Sequence, residues 1–199
     1  MRMMGSIARA LLSGRARFES SLRTAAGRGA AELGAGSRIL DSGSIYNIRA
    51  ARAAVRIGEH SLIAGELLTF AHGGQISIGD WCYVGAGSRI WSAASIRIGD
   101  RVLISHGVNV HDCDSHPKDP LQRHRHFVEI ATTGHPARVD SLASAAIVIE
   151  DDVWIGFNAI IMKGVTVGKR SIVAAGTLVT KSVPADTVLI GGSTRQAGP

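Results

Sequence analysis

The stretch IEDDVWIGFNAIIMKGVTVGKRSIVAAGTLVTKSV, residues 149–183, counts in sixes. Ile149, Ile155, Ile161, Val167, Val173 and Val179 are consecutive members, each aliphatic and β-branched, and a small or polar residue usually follows. A period of six fits neither the 3.6 of an α-helix nor the two-residue alternation of a single strand, so it is a repeat signature. The arrangement that satisfies it is a coil with three flat faces, each sending one aliphatic side chain inward onto its equivalent about 4.8 Å away in the next coil. Small residues then fall where the backbone turns a corner. Each buried Ile or Val contributes about 1.5–3 kcal/mol, so some fifteen such positions suffice to hold a prism together.

Working outward, Ile98, Ile104 and Val110 keep the count, as do Ile78, Val84, Ile90 and Ile96. Ile57 and Ile63 start another run, and Ile39 and Ile45 open the first. Composition agrees: aromatics make up only 5% of 199 residues, and there are 24 glycines. A core of small and β-branched residues suits thin stacked strands. No apolar run approaches the length of a membrane span. The two cysteines, Cys82 and Cys113, give no disulfide framework and point to a reducing compartment, the cytoplasm.

The net charge of +6 is concentrated at the front of the chain. The segment MRMMGSIARALLSGRARFESSLRT (1–24) is rich in arginine, whereas residues 57–199 are nearly balanced, which argues against nucleic-acid binding. Its arginines are interspersed, unlike those of a secretory leader. Met3, Met4, Ile7, Leu11, Phe18 and Leu22 fall on one helical stripe. This predicts a basic amphipathic helical extension over 1–36. Its stripe either packs on the body or a neighbouring subunit, or lies on an anionic membrane surface.

The beat stops after Val110 and resumes near Ile147. The interruption, with a protruding loop expected over 117–146, is too long for a coil corner and holds three of the five prolines. Long excursions from a regular scaffold commonly carry function. Running into it is ISHGVNVHDCDSHPKDPLQRHRHF (104–127), with His106, His111, His116, His124 and His126.

The repeat, over about 57–192, resembles the hexapeptide-repeat acyltransferases, most specifically in VWIGFNAIIMKGVTVGKRSIVAAGTLVTKSVPADTV (153–188). It looks like the maltose and galactoside O-acetyltransferase branch and the sugar acetyltransferases of bacterial polysaccharide synthesis. The resemblance implies an all-β, left-handed parallel β-helix of about six coils over 37–192, with 193–199 as a tail. It further implies a homotrimer with sites between subunits. The reaction implied is transfer of an acetyl group from acetyl-CoA to a hydroxyl of a sugar or polysaccharide precursor, with no metal.

In the resembling enzymes a histidine before a proline opens the loop and is the catalytic base; here that is His116, in DSHP. A sugar hydroxyl is a poor nucleophile at neutral pH, and a neutral imidazole can take its proton as it attacks a thioester. Asp114 or Asp112, or a backbone carbonyl, is expected to orient the ring. A backbone N–H is expected to face the oxyanion. His111, with Asp112, is placed at the acceptor or as a corner cap, His106 facing outward, and His124 and His126 as solvated loop residues. His135, in TGHPAR, is the second candidate base, and Cys113 a wall residue. Carried over by position, the acetyl-CoA contacts are Phe157, Ala175, Thr180, Lys181 and Arg195, with Trp154 packing beside the groove. Lys163, Lys169 and Arg170 are expected as solvated corner charges.

The sequence departs from the maltose and galactoside enzymes at GAGSRIW (85–91), where their acceptor-binding asparagine stretch is missing. Two rivals share the scaffold. One is a zinc enzyme like the gamma-class carbonic anhydrases, using His106, His111 and His116. The other is a non-catalytic interaction module.

Overall fold

The computed structural model describes residues 31–191 and 193–196. The expected helical extension lies almost wholly outside them; its expected end at residue 36 is corrected, because Glu32–Leu33 already pairs with Val55–Ile57 as a strand of the body. The chain winds into a left-handed parallel β-helix with three faces of six, eight and six strands. Face 1 carries Val55–Ile57, Ile76–Ile78, Ile96–Ile98, Ile147–Ile149 and Thr166–Val167 after the first strand. Face 2 runs from Arg38–Ile39 to Thr187–Ile190, with Ser193–Gln196 added antiparallel as its eighth strand, and face 3 from Ser44–Asn47 to Leu178–Val179.

The six-residue beat is the core. Ile63, Val84, Ile104, Ile155 and Val173 stack behind face 2, and Ile90, Val110, Ile161 and Val179 behind face 3, all at most 1% exposed. Face 1 buries a second residue per strand in Val55, Ile76, Ile96 and Ile147, two positions before the beat.

The corner between faces 1 and 2 explains the recurrent Ile-Gly-Asp. Asp151 Oδ1 accepts from the amide of Asp100, and Asp100 Oδ1 accepts from that of Asp80, so carboxylates climb the corner as a ladder. A Cβ on Gly99 would lie 2.1 Å from Asp151 Oδ1, so a side chain there would break the ladder.

Apart from a two-residue shortening between Ile63 and Leu67, irregular length gathers at one corner, from face 3 back to face 1. Equivalent face 1 residues lie 18 positions apart at Ile149 and Val167, 20 at Ile78 and Ile98, 21 at Ile57 and Ile78, and 51 at Ile98 and Ile149. The long excursion leaves and re-enters there through an antiparallel stem: Cys113 bridges Ser144, the Ala145 amide donates to the Asp112 carbonyl, and the Asp114 amide to the Ala143 carbonyl.

The expected loop is corrected in one respect: it contains a helix, α1, Pro120–Thr132. Asp119 caps it by accepting from the Gln122 amide at 2.8 Å, and Pro120 occupies the first turn, where its missing N–H costs nothing. The Thr133 amide, donating to Glu129 and Ile130 carbonyls, closes it, and Gly134 follows with φ +100.

Candidate active site

The site lies on the outer surface of face 3, beneath the excursion. Tyr46, Leu68, Trp91, His111 and Met162 occupy one outward row, each paired with the next coil. Trp91 stacks on His111 with centroids 4.9 Å apart, donates Nε1 to Glu66 at 2.7 Å, and lies 5.8 Å beneath the Arg89 guanidinium. Phe70, at the adjoining corner, meets Trp91, His72 and His135 at 6.2, 5.2 and 6.1 Å. With Leu68 and Cys113 it forms a small apolar cluster outside the prism.

Four histidines gather around this cluster: His72 from the coil corner, His116 from the foot of the excursion, His126 from α1 and His135 from the return. His126 is 7% exposed and its Nδ1 lies 3.2 Å from Nδ1 of His116. His72 and His135 are half-buried, and His116 is exposed. Burial pushes His126 below the ordinary 6.5, with His116 adding to the effect. Burial also lowers His135, joined by His126, His72 and His116, and it lowers His72, joined by His126. His111 is lowered by burial and then by Arg89.

Several expectations need correction. His126 is not a solvated loop residue; α1 turns it inward. Asp114 does not orient His116: its carboxylate is bound to Lys163, and Lys163 is therefore no solvated corner charge, being 27% exposed. Asp112 does not face an acceptor. It is fully buried and accepts from Ser92 Oγ at 2.6 Å and from the amides of Ala93 and Ala94 at 2.7 and 3.0 Å, fixing the turn after face 3. Cys113 is buried, its thiol pushed up to about 12 by burial and then by Asp112 and Asp114. The helix was legible in DPLQ, a capping residue followed by proline at the first turn; the inward position of His126 was not, because it depends on the contact with His116.

The three histidines of the zinc rival do not converge within the chain: His106 is exposed and stacks on Phe157 at 5.2 Å, while His111 and His116 meet Trp91 and His126. Among the described residues no group of three or more His, Cys, Asp or Glu has a metal-holding arrangement.

The carried-over cofactor residues fall at two corners. Phe157, 49% exposed, and Ala175 stand one coil apart between faces 2 and 3, where the Gly176 amide donates to the Phe157 carbonyl at 2.8 Å. Thr180 and Lys181 lie beyond face 3, lining a groove of about 340 Å³ with Leu178, Ser182, Val183 and Leu189. Trp154 is half-exposed on face 2 and donates Nε1 to Ser105 Oγ at 3.3 Å. Arg195 lies opposite Val188 in a terminal strand, Ser193–Gln196, that turns back antiparallel.

Comparison with known proteins agrees with this architecture. The bacterial transferase hexapeptide family (six repeats) matches residues 146–181, and the hexapeptide repeat of succinyl-transferase matches residues 75–111. The chain carries hexapeptide repeats and is similar to the hexapeptide-repeat acetyltransferases. It is 29% identical over 140 residues to the galactoside O-acetyltransferase of Escherichia coli (strain K12), covering 68% of this chain and 59% of that relative. It is 53% identical over 53 residues to a Staphylococcus aureus 2,3,4,5-tetrahydropyridine-2,6-dicarboxylate N-acetyltransferase, covering 27% of this chain and 22% of the relative. The chain thus spans less than two thirds of the length of these curated relatives. Among solved structures, a Vibrio cholerae O1 biovar eltor hexapeptide-repeat acetyltransferase complexed with acetyl coenzyme A aligns with TM-score 0.52 and 29% identity, over 82% of this chain and 68% of that one. An N-acyltransferase from Bacillus cereus shares the fold at TM-score 0.63 and 19% identity, over 89% and 85%. Among the described residues, no helix of this hexapeptide-repeat protein is long and apolar enough to cross a membrane.

Proposed function

We propose that the protein is an acyl-CoA-dependent acyltransferase that moves an acetyl group from acetyl-CoA to a hydroxyl of a sugar or polysaccharide precursor, with His116 as general base. The observation that carries the assignment is exposure: of the four histidines gathered at the excursion, His116 alone is exposed, while His126 is buried and His72 and His135 are half-buried. A base must reach the hydroxyl it deprotonates. The relatives' names support acyl transfer, and the acetyl-CoA complex of the Vibrio cholerae protein supports the donor.

In the reaction His116 takes the proton from the acceptor hydroxyl as its oxygen adds to the thioester carbonyl. The tetrahedral oxyanion, held by a backbone N–H, collapses and breaks the C–S bond. The CoA thiolate leaves, and the imidazolium returns the proton to it. No covalent enzyme intermediate is needed, and Cys113, with its thiol held protonated, takes no part.

The working unit is a homotrimer. Phe157 and Ala175 lie at one corner and Thr180 and Lys181 at another, so face 3 separates them within a chain. Two prisms side by side bring one corner of each to a common groove, which suits a long donor that is polyanionic at one end; three close a cyclic assembly.

The test is a thioester-cleavage screen against sugars and sugar–lipid intermediates, run with the wild type and His116→Ala. We expect acceptor-dependent release of CoA, and a kcat lower by about 10²–10⁴ in the variant with acetyl-CoA binding retained. Full kcat in His116→Ala, or loss of it in His135→Ala alone, overturns the assignment.

A further inference from the structure

The contact between His116 and His126 is a side-chain pair whose members come from two different elements, and much of the excursion is arranged to hold it. His126 sits on α1, whose start is fixed by Asp119 and Pro120. Arg123 on the same helix donates Nη1 to the carbonyls of Pro117 at 3.3 Å and Lys118 at 2.9 Å, clamping the helix to the residues that follow His116. Pro117 is itself buried. His126 Nε2 is buried and makes no hydrogen bond, so no competing partner turns the ring away from His116.

We infer that His126 is the positioning residue of the base, accepting a hydrogen bond from Nδ1–H of His116 so that Nε2 of His116 is unprotonated and turned to the acceptor. This deepens, and rests on, the assignment of His116 as base. One ring nitrogen of a neutral imidazole donates and the other accepts, so the partner at Nδ1 decides which tautomer is present. A carboxylate is the usual partner, and Asp114 is near in sequence, but its Oδ1 is held by Lys163 and its Oδ2 makes no hydrogen bond, whereas the ring atom within reach of His116 Nδ1 is His126 Nδ1. A neutral imidazole can accept at the same place if it stays neutral, and burial holds His126 in that form. The groups facing His126 are His116, Glu129 on its own helix, and His135 and His72 from the return and the coil corner. Two of these, His135 and His72, are themselves lowered by burial, which favours their neutral forms.

The proton balance is simple. As the acceptor hydroxyl gives its proton to Nε2, the His116 imidazolium carries N–H at both positions, and the bond to His126 Nδ1 persists. His126 neither gains nor loses a proton during turnover.

The test pairs kinetics with a measurement that needs no substrate. The ¹⁵N shifts of the His116 ring in the full chain report its tautomer; we expect Nδ1–H to dominate in the wild type and Nε2–H in His126→Leu. In acetyl transfer, His126→Leu is expected to lower kcat by about 10- to 100-fold, below the about 10²–10⁴ for loss of the base itself, with KM for acetyl-CoA unchanged. His126→Asn, whose Oδ1 takes the place of Nδ1 as acceptor, is expected to restore most of kcat and the Nδ1–H tautomer, even if its melting temperature stays low. In the His116→Ala background, His126→Leu is expected to have no further effect. An Nε2–H tautomer in the wild type, a failure of Asn to rescue, or a further loss in the His116→Ala background overturns the inference. If His116→Ala keeps full kcat, the base assignment fails first. If His116→Ala loses kcat and His126→Leu does not, the positioning role alone fails.

Discussion

Lys163, which follows Met162, the partner of His111 in the next coil, reaches Asp114 at the stem of the excursion and pairs with it where both side chains are about three-quarters buried. The pair ties the excursion to the coil that follows it. Asp114→Ala and Lys163→Ala are each expected to destabilise by about 1–3 kcal/mol. The double variant should add little to either, because both remove one interaction. Urea unfolding of the three variants measures this; additive losses would show that the two residues act separately.

The groove lined by Thr180 and Lys181 yields a second expectation. Lys181 is exposed and lines the groove beside Thr180. If it meets a CoA phosphate, Lys181→Ala loses one charge-assisted hydrogen bond, about 1.5–3 kcal/mol. KM for acetyl-CoA then rises by roughly tenfold or more while KM for the acceptor stays put. An unchanged donor KM would move the phosphates elsewhere.

Acid should weaken the fold through its histidines. His72, His111, His126 and His135 are all held below 6.5, burial being the largest cause in each. The folded chain keeps them neutral while the unfolded chain takes up protons, so folding stability rises with pH. It is level above about pH 7.5 and falls as the pH drops through 6.5 towards the lower folded values. Urea midpoints at pH 7.5, 6.5 and 5.5 should decline in that order, and His126→Leu should flatten the slope. A midpoint constant down to pH 5.5 would contradict this.

Cys113 is expected to be chemically quiet. With its thiol pushed up to about 12 and its side chain buried, almost none is thiolate at pH 8. Iodoacetamide on the native protein should leave Cys113 unmodified and activity intact, with alkylation appearing once urea is added. Rapid alkylation that abolishes turnover would reopen a nucleophilic role.

The prism was legible because its sterics repeat. Ile149, Ile155 and Ile161 stand at equal spacing because each fills the same slot under a different face, and every one is fully buried. The excursion was legible only as an interruption, since nothing periodic governs it. The prolines read as loop, yet Pro120 sits in the first turn of α1, where proline starts a helix as readily as it breaks one. That helix decides the environment of His126, and RHRHF read as polar because its burial depends on a contact with a residue outside the helix. Asp112 and Asp114 looked alike beside the histidines. What separates them is the neighbouring coils: Ser92, Ala93 and Ala94 absorb one, and Lys163 the other.

The excursion begins and ends one rung apart. Ile147 pairs with Ile96 and its amide donates to the Ser95 carbonyl at 2.9 Å, as though nothing had intervened. The detour therefore imposes no offset on any later coil, and beyond the tie of Asp114 to Lys163 at its stem the stack below it does not register how long the detour is. Evolution can rewrite that segment as one exchanges the bit of a drill. The handle keeps its shape while the working end is replaced, and kinship read from the coils alone says little about which molecule the working end grips.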